Sequence, residues 1–205
     1  MSRKAYWLIP SGLIFLSIVP LLGGLVRLNE LAGHAKVTPD NARFFAAPVP
    51  VVVHIVSACI FCIFGALQFS RGLRTRKPHW HRAAGRPLIA TGLISAVSGL
   101  WLTLSYPHVA GDGPTLYYVR LIVGTAMTLF ILFAINAIRL RQFASHGDWM
   151  IRAYALGLGA GTQVVTHLPW IISGGMPTEL ARDSAMAGAW LVNALVAEWS
   201  IRRGG

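Results

Sequence analysis

Long apolar runs separated by short polar connections set the pattern of this chain. A helix of about 20 apolar residues crosses a hydrocarbon core of ~30 Å. Six runs meet that length and predict helices at about 5–26, 47–69, 87–106, 116–139, 150–173 and 184–201. The expected fold class is all-α: a six-helix transmembrane bundle in which residues 1–205 form a single integral membrane domain. The first run follows Ser2-Arg3-Lys4 and has the basic start and apolar body of a signal peptide. It is long enough to span, and no small-x-small cleavage site precedes Arg27, so a retained first helix is expected. Pro48 and Pro50 open the second helix and Pro87 the third, at positions where a missing N–H costs little. Pro107, Gly111, Gly113 and Pro114 mark a tight turn.

Composition agrees with the pattern. The 205 residues are 55% hydrophobic and 12% charged, with a mean hydropathy of +0.58, which is too apolar for a water-facing domain. The formal charge of +11 comes from bases lying between the apolar runs, where anionic head groups and membrane topology account for them. No nucleic-acid partner is expected. Thirteen of the eighteen Lys and Arg residues fall on one side of the six-helix arrangement. The positive-inside rule then puts both termini in the cytoplasm of a bacterial inner membrane, in contact with anionic head groups at the inner face. Cys59 and Cys62 sit inside an apolar run and read as packing residues, not as a disulfide framework.

Polar groups at membrane depth mark where chemistry belongs. His54, in the inward-running second helix, and His167, near the end of the outward-running fifth, both fall about 10 Å below the outer interface at a rise of ~1.5 Å per residue. Gln163 lies one turn below His167. Arg120 enters the fourth helix from the same side, and Arg27 ends the first. Two neutral imidazoles facing across a slot, with cations near the propionates, are what a bis-histidine haem b requires. The first expectation is therefore a small b-type cytochrome-like electron-transfer protein. In it His54 and His167 bind the haem iron, Arg120, Arg27 and Gln163 complete the cofactor site, and quinone or a redox subunit is the partner. Arg120, Gln163, His167 and Asn193 also allow a second reading, a polar cavity in a haem-free transporter or accessory subunit that binds a small anion or lipid. Oxidoreductase activity belongs only to the first.

The inner side carries a rival polar cluster of His81, Arg86, His146 and Arg152 near Asp148, within a basic belt anchored by Trp80 and Trp149. Small residues form stripes on the third helix (Gly92, Ser95, Ala96, Gly99, Thr103, with Tyr106) and on the fifth (Gly157, Gly159, Gly161). Both stripes read as close helix packing.

Three local patterns resemble a known family. They are His54 followed by Gly65-Ala-Leu-Gln68-Phe69, then His81-Arg-Ala-Ala-Gly85-Arg86, then His146-x-x-Trp149-Met150-Ile-Arg152-x-Tyr154. Over residues 50 to 160 the chain resembles the bacterial multi-pass membrane proteins of domain-of-unknown-function family 2306. The resemblance implies a multi-pass helical architecture and carries no activity. It covers the inner cluster and stops short of His167.

Overall fold

The computed structural model describes residues 5–108 and 111–204; Arg3 and Lys4, which contributed to the charge asymmetry, lie outside them. The described chain is helical and contains no strand. Helix α1 (Ala5–Asn29) runs on through a wider, π-type turn at Glu30–His34 that closes at Gly33, whose φ is 95°. A short α2 (Ala42–Ala46) precedes α3 (Pro48–Gln68), α4 (Arg71–Arg76), α5 (Pro78–Ser105) and α6 (Pro114–Arg139). The chain ends in α7 (Phe143–Gly157), α8 (Gly159–Thr166), α9 (Leu168–Ser173) and α10 (Glu179–Gly204). Among the described residues, four segments are long and apolar enough to cross a bilayer: Trp7–His34, Pro48–Gln68, Pro78–Ser105 and Pro114–Arg139.

Three expectations about the helices are corrected. The third helix begins at Pro78, and Pro87 lies inside it. Hydropathy locates where a chain turns apolar, whereas the polar segment His79–Arg86 is already helical and one proline removes a single ladder bond. The fifth run is not one helix but three. Leu158, between Gly157 and Gly159, ends α7, and Pro169, in the first turn of α9, cannot donate the N–H that would continue α8. The sixth run is longer than expected, because α10 starts at Glu179. His34 ends the π-type turn that follows α1.

The break at Leu158 decides how the bundle closes. Helix α3 packs on α1 and α5, and α5 on α6. Helix α7 packs against α6 and α10 and also reaches α3 and α5, so it fills the centre of the bundle at the end that carries Arg76. Beyond the break, α8 turns to α1 and α10 instead. Its glycines permit that turn: a Cβ on Gly161 would lie 2.4 Å from the Leu16 carbonyl oxygen, and one on Gly159 would lie 2.0 Å from Trp190 Nε1. Asn193 of α10 stitches both sides, donating to the Ala155 carbonyl at 2.9 Å and accepting from Thr162 Oγ1 at 2.8 Å.

The tightest packing lies at and below the break, where Phe61, Ala96, Met127, Ile131, Ala153, Tyr154 and Leu158 form one buried cluster. The Tyr154 ring lies against Gly65 and 4.8 Å from the Phe69 ring centre, and its hydroxyl donates to the Cys62 carbonyl at 2.6 Å. At the opposite end, Asp183 of α10 accepts from the N–H groups of Gly113 (2.9 Å) and Leu116 (3.1 Å) and so caps α6 from across the bundle. Large apolar side chains face outward along the long helices. Phe15 is 75% exposed and Ile122 67%, a surface that matches lipid rather than water.

Candidate functional site

Where α8 leaves the centre, a cavity of about 490 Å³ opens among α1, α3, α5, α6, α8 and α10. Its floor is the break itself, with Leu156, Gly157 and Leu158 beside Cys62, Ala96 and Met127. Its mouth lies at the Asp112 end, between Arg43, Phe44, Tyr106, His108, Tyr117 and Arg120. Apolar side chains dominate the lower half and polar ones the upper, the usual make-up of a small-molecule pocket.

His54 lies in the wall between mouth and floor, and α5 holds its ring. Nδ1 is 3.0 Å from the Ser95 carbonyl oxygen and 3.2 Å from Ser98 Oγ. A carbonyl oxygen only accepts, so Nδ1 carries the proton and the neutral ring keeps its lone pair on Nε2. Nε2 has no hydrogen-bond partner among the described residues and is not sealed by protein. Gly99 supplies the seat, since a Cβ there would stand 3.3 Å from His54 Cε1. Gln163 of α8 also lines the cavity, and its Nε2 is buried without a partner.

The mouth is organised around one buried acid. Asp112, whose side chain is 3% exposed, accepts from Arg120 and from Arg182, each at 2.7 Å. Arg27 pairs with Glu30, stands 4.2 Å above the Phe44 ring and does not line the cavity. Arg43 stands 4.5 Å from the same ring, lines the cavity and has no carboxylate partner among the described residues. Burial, and then the nearby charge of Arg27, pulls its pKa below the ordinary arginine value. Tyr106 donates from its hydroxyl to the Ala47 carbonyl at 2.5 Å, and burial raises its pKa above that of a free phenol. Three arginines against one buried aspartate leave this rim rich in hydrogen-bond donors.

The predicted haem residues are only partly brought together. His54, Arg120 and Gln163 line the cavity; Arg27 sits behind Phe44; His167 does not line it. His167 caps the junction of α8 and α9, with Nδ1 2.8 Å from the Gln163 carbonyl of its own helix and its ring 5.9 Å from Trp170. A bis-imidazole haem needs both rings on one slot. The residues present do not fit that arrangement. The inner cluster is drawn together only in part: His146 lies close enough to His81 for their charges to interact, and Asp148 does the same for Arg152. Arg152 binds Glu198 of α10 in a bidentate pair at 2.5 and 3.0 Å, and His146 donates from Nδ1 to the Ala134 carbonyl of α6 at 3.1 Å. His81 lies partly exposed at the start of α5, and Arg86 is exposed one turn on.

Sequence reasoning did not place Arg43, Phe44, Ser95, Gly99, Tyr106 or Asp112 in a site, and it read Cys59 and Cys62 as core packing. Both thiols line the cavity, where Cys62 Sγ donates to the Gly157 carbonyl at 3.6 Å. The signal for the α5 wall was the stripe Ser95, Gly99, Thr103 and Tyr106, which serves a cavity as well as helix packing.

Among curated proteins and among solved structures, none matches the chain. A family model described as a predicted membrane protein, DUF2306, matches residues 51–201, which take in the α3 and α5 walls, the break at Leu158 and nearly all of α10. With a cavity between its helices and most of its length matched to that model, this chain belongs to the DUF2306 family of membrane proteins.

Proposed function

We propose that this protein is a membrane-embedded binding protein, a carrier or accessory subunit. Its cavity would hold an amphipathic small molecule with its polar head toward Arg43 and its apolar body toward Met127 and Gly157. The observation that carries this reading is the gradient along one cavity, from Arg43, Arg120 and the open Nε2 of His54 above to an apolar floor below. Its volume of about 490 Å³ falls within the range of ligand pockets, roughly 300–1,000 Å³. The donors at the mouth favour an electron-rich or anionic head. Because His167 lies off the cavity, electron transfer through a bis-histidine haem is not part of the proposal.

The proposal includes six crossings, with α7, α8 and α9 together making the fifth and α10 the sixth. Two contacts support an α10 that runs end to end: Arg182 and Asp183 meet the Asp112 end, while Glu198 meets Arg152 near the start of α7. The basic surplus beside Arg76 supports an orientation with that end, and both termini, on the cytoplasmic side of a bacterial inner membrane. Reporter fusions after Arg76 and Arg141 are expected to read cytoplasmic and those after Asp40 and Glu179 external. A cytoplasmic signal after Glu179 contradicts the topology.

Native mass spectrometry of protein released from lipid nanodiscs tests the binding reading. Wild type is expected to retain a bound amphiphile. Ala58→Trp, which fills the cavity from α3, is expected to lose it while remaining folded. Equal retention by both overturns the reading.

A further inference from the structure

His54 is more than a polar group in the wall. Its ring is held from one side only, and the held side settles which nitrogen carries the proton. The Ser95 carbonyl cannot donate, and Ser98 Oγ lies 3.1 Å from that same carbonyl, to which it donates its own proton. Both neighbours of Nδ1 therefore act as acceptors toward it. Moving the proton to Nε2 would leave a bare Nδ1 against the Ser95 oxygen, two acceptors in contact, and turning the ring over would replace the hydrogen bond by a C–H, so the protein fixes the tautomer. Gly99 fixes the ring's position as well, because any side chain there presses on Cε1. The group presented to the cavity is thus a neutral imidazole nitrogen that accepts a hydrogen bond and has no proton to give.

We infer that His54 selects a ligand bearing a hydroxyl, and that the natural occupant of the cavity is a lipid-soluble hydroxyl compound, of which an alkylphenol is the simplest form. The inference rests on the proposed binding reading and gives the ligand class. A carbonyl, ether or carboxylate oxygen placed against Nε2 would set lone pair against lone pair, whereas a hydroxyl donates to it. Gln163 also lines the cavity, but its Nε2 is sealed within the α8 wall, so the contact that reads the ligand's O–H group is His54 Nε2. Phe44, Tyr106, Tyr117 and Trp190 give the cavity aromatic surface against which a ring packs.

The test compares two probes of matched shape, 4-hexylphenol and hexylbenzene, by equilibrium binding to the purified full-length protein in nanodiscs. Binding to empty nanodiscs and to Ala58→Trp is subtracted. Wild type is expected to bind the phenol about tenfold more tightly, the worth of one buried hydrogen bond. His54→Phe keeps the ring and removes the acceptor, and it is expected to bind both probes alike. A measurement on the wild-type chain accompanies it: in protein labelled with 15N-histidine, the phenol is expected to move the unprotonated Nε2 resonance of His54 while leaving Nδ1 protonated. Equal affinity of wild type for the two probes, a preference that survives in His54→Phe, or an unmoved Nε2 resonance at saturation each overturns the hydroxyl assignment. Equal, cavity-dependent binding of both probes leaves the binding reading standing. Binding of neither probe overturns both.

Discussion

Below the break at Leu158 the centre of the bundle is filled, and beyond it the centre is open. The same apolar run supplies both regions. As α7 it sends Ala153 and Tyr154 between α3, α5 and α6, where they are almost fully buried. As α8 it withdraws to α1 and α10, and the space it leaves is lined by His54, Gly99 and Arg120. The amino-acid types on the two sides of Leu158 are alike, so composition does not separate a core segment from a cavity wall. The difference is the direction a short helix takes after a pair of glycines, and which neighbours its small residues allow it to approach.

Breaking the packed region should cost most. Phe61 is 1% exposed and touches α5 and α7 near Gly92 and Gly157. Phe61→Ala is expected to lower stability by about 4 kcal/mol, read as a large drop in unfolding temperature in detergent. Gly161→Leu attacks the contact that keeps α8 away from the centre. Its Cβ would meet the backbone of α1 at Leu16, so a loss of about 3 kcal/mol is expected. The preference for the phenol over hexylbenzene should weaken with it, because a displaced α8 reshapes the cavity wall. Retained stability would mean that the α1–α8 seam is loose.

The mouth comes next. Asp112→Ala leaves Arg120 and Arg182 facing each other without their shared acid. Each arginine side chain keeps 30% exposure, which tempers the penalty to about 2 kcal/mol. The smallest effect belongs to Ala58→Leu, which adds volume facing the cavity. Overpacking a filled core costs about 1–3 kcal/mol; here the unfolding temperature should stay the same or rise slightly. A clear fall would show that the upper centre is as full as the lower.

The same contrast explains what was readable in the sequence. Helices α3 and α6 are continuous, apolar and opened by Pro48 and Pro114, so their spans, and the placement of His54 and Arg120 on the cavity, followed from counting residues. Counting fails across a break. His167 is one turn beyond Gln163 in number, yet Pro169 ends α8 beneath it and its ring turns back to the Gln163 carbonyl. Arg43 and Phe44 lie on the short α2, outside any apolar run, and nothing in their local pattern pointed at the cavity. Asp112 looked like a loop charge because its two arginine partners are eight and seventy residues away. The α5 stripe was visible but ambiguous, since small residues serve a close helix contact and a cavity wall equally well.

The central claim is that the open region beyond Leu158 holds an amphiphile with its head at Arg43 and its body on the floor. Anomalous diffraction from crystals grown in a lipidic mesophase with 11-bromoundecanoate tests it most directly, because the bromine marks the end of the chain. The account predicts one bromine peak inside the bundle, beside Met127, Cys62 and Gly157, with carboxylate density near Arg43. A bromine found only on the outer, lipid-facing surface, with the cavity holding no part of the probe, would contradict it.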